Sequence, residues 1–150
     1  MAQSLAKIVV HVVFSTKNRE PLLTTAIRSD LFAYIVGILN SLECITFAIN
    51  GIEDHVHVLI GMSKTISLSK MVEAIKGSSS RLLNAQKMIA KHFAWQAGYG
   101  AFSVSESQIS TLVHYIEEQE KHHSKMTFQD ELISLLKKHN IEFDERYLWT

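Results

Sequence analysis

Two histidines separated by a single valine, His55-Val56-His57, lie inside an otherwise β-branched apolar run that ends at Gly61. Such a run reads as a strand. Alternate residues of a strand share a face, so the two imidazoles project together about 7 Å apart, while Val56, Val58 and Ile60 point the other way. Burying both as cations would be costly, whereas two neutral imidazoles on one face are a ready pair of metal ligands. The same tripeptide also suits histidines that face water or sit satisfied in a core, and alone it does not choose. A second stretch carries a polar pair at helical spacing. From Ser105 to about Lys121, Ile109, Leu112, Val113 and Ile116 form an apolar stripe, with Ser105 and Gln108 as a capping box at its start. At 100° per residue Tyr115 and Gln119 fall on one strip beside that stripe, their Cβ atoms about 6 Å apart, which leaves the tyrosine accessible.

The rest of the chain must position these groups. Lys7 to Thr16 is rich in Val, Ile and Phe and reads as a first strand, stopped at Lys17-Asn18-Arg19-Glu20-Pro21 by polar residues and the one proline. Lys17 and Arg19 therefore sit at a strand exit, where they can meet phosphate or simply line a solvated loop. Leu31 to Leu42 has helical spacing, with Thr24 or Thr25 as N-cap. Cys44 to Ile49 and Ile52 to Gly61 flank Asn50-Gly51, the strongest short hairpin signal. Ser67 to Asn84 reads as an amphipathic helix whose polar side carries Lys70, Gly77, Ser80 and Arg81. Lys70 and Arg81 suit a solvated face or a DNA backbone equally. The Gly77-Ser78-Ser79-Ser80 stretch marks a weak or kinked point, or lets another backbone come close. After the aromatic, glycine-punctuated Ala94 to Gly100 comes a short strand, Ala101 to Val104. Phe128 to Lys138 forms a last amphipathic helix. Ile141 to Thr150, with Tyr147, Leu148 and Trp149, is too apolar to be free and should dock on the body or on a partner subunit. A βαββαβ order predicts an α+β, ferredoxin-like antiparallel sheet with packed helices in a single domain, 1–150, with the histidine arm central.

The 150-residue length and 47% hydrophobic content fit one compact domain. Fifteen basic residues balance fifteen acidic ones, so non-specific electrostatic binding of nucleic acid is excluded as a global property and any such contact must be local. The single cysteine, Cys44, rules out a disulfide framework and a thiolate zinc cluster and fits a small core residue. No apolar run is long enough to span a membrane and the N-terminus lacks a signal-peptide pattern, so a cytoplasmic protein is expected.

Taken in order, His11-Val12-Val13-Phe14-Ser15-Thr16-Lys17-Asn18-Arg19, Asp54-His55-Val56-His57-Val58-Leu59, Lys76-Gly77-Ser78-Ser79-Ser80-Arg81, Trp95-Gln96-Ala97-Gly98-Tyr99, Tyr115 to His123 and Tyr147-Leu148-Trp149 resemble the single-tyrosine HUH transposases. These are small enzymes of insertion sequences and repeats that cut and rejoin single-stranded DNA. The resemblance covers nearly the whole chain. It implies an HUH endonuclease architecture, a divalent ion on His55 and His57 with Gln119 as a further ligand, and Tyr115 as nucleophile. It also implies a DNA hairpin as substrate. Imidazole, amide and water ligation suits Mg2+ or Mn2+, with Mn2+ better matched to nitrogen. Strand parity turns Asp54 away from the histidine face, which favours a structural use. His11, His122 and His123 receive no role.

Two other classes compete. Two-histidine phosphoesterases need two copies of a His-containing strand motif, and one pair is present. A catalytically silent single-stranded nucleic-acid binding module of the same fold would display aromatics on its strands, which are mainly aliphatic here. The apolar tail and the need to hold two DNA ends point to a homodimer in which, by the resemblance, the tyrosine helix can complete the partner's histidine site; sequence does not decide between cis and trans.

Overall fold

The computed structural model describes residues 2–149. Four strands, β1 (Val9–Ser15), β2 (Ile45–Gly51), β3 (His55–Gly61) and β4 (Gly100–Val104), form one sheet ordered β2-β3-β1-β4, every neighbouring pair antiparallel. This is the ferredoxin-like topology expected from the element order, and the histidine strand is indeed central. Being central, β1 and β3 are covered on both faces. That explains why both are continuous β-branched runs rather than alternating ones.

On one face lie α1 (Thr25–Ser41) and α2 (Leu68–Ala85). They bury Val10, Val12, Phe14, Val56, Val58 and Ile60 against Leu31, Ile35, Leu39, Met71, Ile75 and Leu83, and Cys44 joins this core. On the other face, which carries the histidines, lie α3 (Ile109–Glu117), α4 (Gln119–His123) and α5 (Phe128–Lys138). Here Val13 and Phe102 meet Phe128, Leu132 and Leu136, and Val9 and Leu59 meet Ile116. The helices start where polar caps allow. Thr24, Ser67 and Thr127 each accept a backbone N–H three residues on, and α5 carries Asp130 and Glu131 in its first turn and Lys137 and Lys138 in its last, matching the helix dipole.

Three local expectations are corrected. Asn50-Gly51 is not the hairpin turn: both residues lie within β2, and the chain reverses over Ile52-Glu53-Asp54. Gly51 is needed instead because a Cβ there would collide with the His55 carbonyl oxygen. The freed Asn50 side chain donates to the carbonyls of Ile116 (3.0 Å) and Glu117 (3.1 Å), at the end of α3. Second, Ser105 makes no capping bond. A 3-10 turn over Glu106–Gln108 leads into α3, and the expected continuous helix breaks at Glu118 (φ −100, ψ 29) before α4 begins. Third, α2 runs unbroken through Gly77, where a Cβ would meet only the Arg81 guanidinium at 3.5 Å. The tail docks on the body of its own chain, one of the two places expected for it. A last turn, α6 (Glu145–Leu148), brings Trp149 against Phe128 and the Arg19 guanidinium, while the Gln96 amide donates to the Leu148 carbonyl at 3.1 Å. Thr150 lies outside the described residues. Among the described residues no helix is long and apolar enough to cross a membrane.

Candidate metal and nucleophile site

Strand alternation aims His55 and His57 into the space roofed by α3, α4 and α5, where both are fully buried, 0% exposed. Their rings stand 5.1 Å apart, edge to face. Each is held from behind. Asp54, in the turn just before β3, sits 2.7 Å from His55 Nδ1, and His11 Nε2, on the neighbouring β1, sits 2.8 Å from His57 Nδ1. Because β3 starts only at His55, strand parity does not turn Asp54 away as expected, and its carboxylate orients His55 from behind.

The forward nitrogens converge. His57 Nε2, His123 Nε2 and His55 Nε2 lie 2.8, 3.0 and 3.3 Å from Glu131 Oε1. The Gln119 amide oxygen adds contacts of 3.2 Å to His55 Nε2 and 3.1 Å to His123 Nε2. His123 is fixed from behind as well, with Nδ1 2.8 Å from the Met126 carbonyl oxygen. Tyr115 is half-buried rather than open. Its ring stacks on His122, lies 6.1 Å from the His57 ring, and its hydroxyl donates to Glu131 Oε2.

This pattern tests whether a cation fits. The acceptors behind His55 and His123 take their Nδ1 protons, so each neutral ring turns an Nε2 lone pair forward. Those lone pairs face a carboxylate and an amide oxygen, acceptor against acceptor, an arrangement that only added protons or one shared positive ion can relieve. The nearest ligand atoms of His55, His57, His123 and Glu131 all lie within 4.8 Å of one another. The residues therefore fit a divalent ion.

Electrostatics agrees. Burial pushes His57 down to about 4 against the pull of Glu131. His11 falls to about 3, first through burial and then through His57. Burial would lower His55 too, but its bonds to Asp54 and Glu131 outweigh that and raise it. Glu131 would be raised by burial, yet its bonds from His123, His55 and His57 hold it well below the usual carboxylate range. Burial and then Glu131 push the Tyr115 phenol above its ordinary value.

Of the residues singled out in sequence, the fold brings together His55, His57, Gln119 and Tyr115, with Gln119 and Tyr115 on either side of the helix break. Arg19 borders a cleft shared with Asp54 and His123, and Lys17 precedes it at the end of β1. Lys70 and Arg81 are elsewhere. Both lie on α2, across the sheet, Lys70 3.8 Å from Glu73 and Arg81 bonded to Ser78 on the rim of a groove that also includes Lys76, Trp95 and Tyr99. Sequence reasoning missed Glu131 and gave His123 and His11 no role. The signal for Glu131 was present: it falls three residues after Phe128, within a buried stripe continued by Leu132 and Leu136.

A ferredoxin-like sheet with a buried histidine–valine–histidine pair facing a helical tyrosine defines the HUH class of DNA-processing folds. The family model described as "Transposase IS200 like" matches residues 4–119, and the chain belongs to this transposase family. A similar protein, the ISDra2 transposase TnpA of Deinococcus radiodurans, is 26% identical over 116 residues, covering 73% of this chain and 81% of the relative. Two solved structures share the fold. One is a transposase from Deinococcus radiodurans (TM-score 0.63, 24% identity, covering 79% of this chain and 98% of that one). The other is a REP-associated tyrosine transposase bound to a REP hairpin (TM-score 0.62, 16% identity, covering 84% and 74%).

Proposed function

We propose that this transposase cleaves and rejoins single-stranded DNA with Tyr115 as nucleophile, using a divalent ion held by His55, His57 and Gln119. The observation that carries the reading is the meeting of the Tyr115 hydroxyl and the metal-binding donors on one carboxylate, Glu131. Such an ion, Mn2+ or Mg2+, would supply Lewis acidity to the charged phosphodiester. The chain's own residues do the rest. Burial holds His57 neutral, His11 and Asp54 orient His57 and His55 from behind, and Tyr115 is aimed by the Asn50 clamp on the end of α3. The Tyr115 oxygen forms a bond to phosphorus as the bond to the 3′ oxygen breaks. That oxygen leaves as a 3′ hydroxyl, and the 5′ phosphate stays on the tyrosine. Attack on this ester by another 3′ hydroxyl reverses the step, so joining needs no ATP.

The hairpin carried by the REP-associated relative supports a folded single strand as substrate, as does the 15 to 15 charge balance, which cannot furnish a duplex-sized phosphate footprint. Lys17 and Arg19 beside the site, with Lys70 and Arg81 on α2, are the phosphate contacts of this reading. The two DNA ends would be held by a homodimer, and a cytoplasmic setting follows for an enzyme of DNA. The test is incubation with end-labelled hairpin DNA and Mn2+. A denaturation-resistant protein–DNA adduct, lost in Tyr115→Phe and not competed by fully paired DNA of the same sequence, is expected. Hairpin binding with no adduct would instead mark a silent binding module.

A further inference from the structure

We propose that Glu131 and His123, carried by helices beyond the family-matching segment, are ligands of the same metal centre, and that they make it a site for a first-row transition ion in preference to Mg2+. The proposal rests on the metal reading above and deepens it. The matched segment ends at residue 119; His123 is the last residue of α4 and Glu131 lies in the first turn of α5.

The geometry is that of ligands rather than bystanders. Glu131 is 1% exposed, and its Oε1 is within 3.3 Å of three separate Nε2 atoms. A carboxylate does not settle against forward-facing imidazole lone pairs unless something positive is meant to lie between them. His123 is built as His55 is: an acceptor behind Nδ1, at 2.8 Å, and a bare Nε2 turned to the common point. With His55, His57 and the Gln119 oxygen this gives three nitrogens and two oxygens. Mg2+ prefers oxygen and retains its water, whereas imidazole-rich sets suit Mn2+ and the ions after it. The second Glu131 oxygen accepts the Tyr115 hydroxyl. One carboxylate thereby ties the nucleophile to the ion's place, and the C-terminal helices become part of the active centre.

The test is calorimetric titration of the full chain with Mn2+, Zn2+ and Mg2+, comparing wild type with Glu131→Gln, His123→Ala and, as a control on the exposed side of α5, Lys137→Ala. Losing a ligand should weaken Mn2+ binding by at least the roughly tenfold to hundredfold seen for outer-shell changes, with the control unchanged, Mg2+ bound more weakly than Mn2+ by wild type and control, and that preference narrowed in His123→Ala. Visible absorption of the Co2+ form should change in both site variants. If Glu131→Gln fails to fold, Glu131→Asp, which keeps the charge but shortens its reach, is measured in its place. Unchanged Mn2+ affinity and an unchanged Co2+ spectrum in the Glu131 and His123 variants would overturn the inference while leaving the two-histidine site standing. Absence of any ion binding by wild type would overturn both.

Discussion

Acid should unfold the metal-free protein early, and the site is the reason. Take the protein in chelator and lower the pH from 7. In the unfolded chain His57 and His11 titrate near 6.5, but in the fold burial holds them to about 4 and about 3. Between those values the unfolded state binds protons that the native state refuses, so stability rises with pH and is lost as pH falls below about 6.5. A depression of about 2.5 units at His57 alone corresponds to about 3 kcal/mol. The two rings share one hydrogen bond, so their contributions overlap rather than add. Glu131 acts in the same direction: its depressed carboxyl stabilises the fold above the ordinary carboxylate range and loses that contribution on further acidification. His55, raised by Asp54 and Glu131, acts above this window: its contribution is complete below about 6.5 and is lost only as pH rises past that value. The net expectation is a loss of about 2 to 4 kcal/mol between pH 6.5 and 4, a large share of a typical domain's stability. Urea unfolding followed by tryptophan fluorescence at half-unit pH steps measures it, since Trp95 is buried against Phe14 and Phe93. His57→Gln should flatten the curve. A wild-type stability that is level, or that rises, from pH 6.5 to 4 would refute the reasoning.

Other outcomes follow from single contacts. Asp54→Ala removes the acceptor behind His55 and should weaken Mn2+ binding by about tenfold to a hundredfold while leaving the fold intact, as read by calorimetry. Asn50→Ala removes two bonds to the end of α3 and should cost about 1 to 2 kcal/mol in urea unfolding; by loosening Tyr115 it should slow adduct formation more than it weakens hairpin binding. Because Tyr115 reaches the histidine site of its own chain, mixing His57→Ala with Tyr115→Phe subunits should not restore adduct formation. Recovery of the adduct would instead show that the tyrosine helices exchange between subunits.

The sheet was legible because its signals are local and strong. β1 and β3 are uninterrupted β-branched runs, and α5 was bounded correctly at Phe128 and Lys138, where Thr127 caps its start. The shared face of the two histidines was legible for a similar reason, since parity along a strand fixes direction, whereas Tyr115, expected accessible from helical phase, is half-buried. What escaped depended on contacts between distant segments. The break at Glu118 coincides with Asn50 gripping the carbonyls just before it, 67 residues away in sequence, and no window along the chain contains that information. His11 lies 46 residues from His57, and Glu131 lies 74 from it. Asn50-Gly51 misled because the glycine answers a close approach by the His55 carbonyl rather than a turn. The expected dimer drew on an apolar tail, but Trp149 and Leu148 pack against the cluster of Phe128, Leu132 and Leu136 of their own chain, so the dimer now stands without that argument.

The most direct measurement is to locate the covalent bond. The protein is incubated with hairpin DNA and Mn2+, the adduct is digested, and the nucleotide-bearing peptide is sequenced by mass spectrometry. The released strand is offered to a polymerase that extends only free 3′ hydroxyls. A 5′ phosphate on Tyr115 and an extendable released strand are expected. DNA attached to any other residue, or a released strand blocked at its 3′ end, would contradict the proposed reaction.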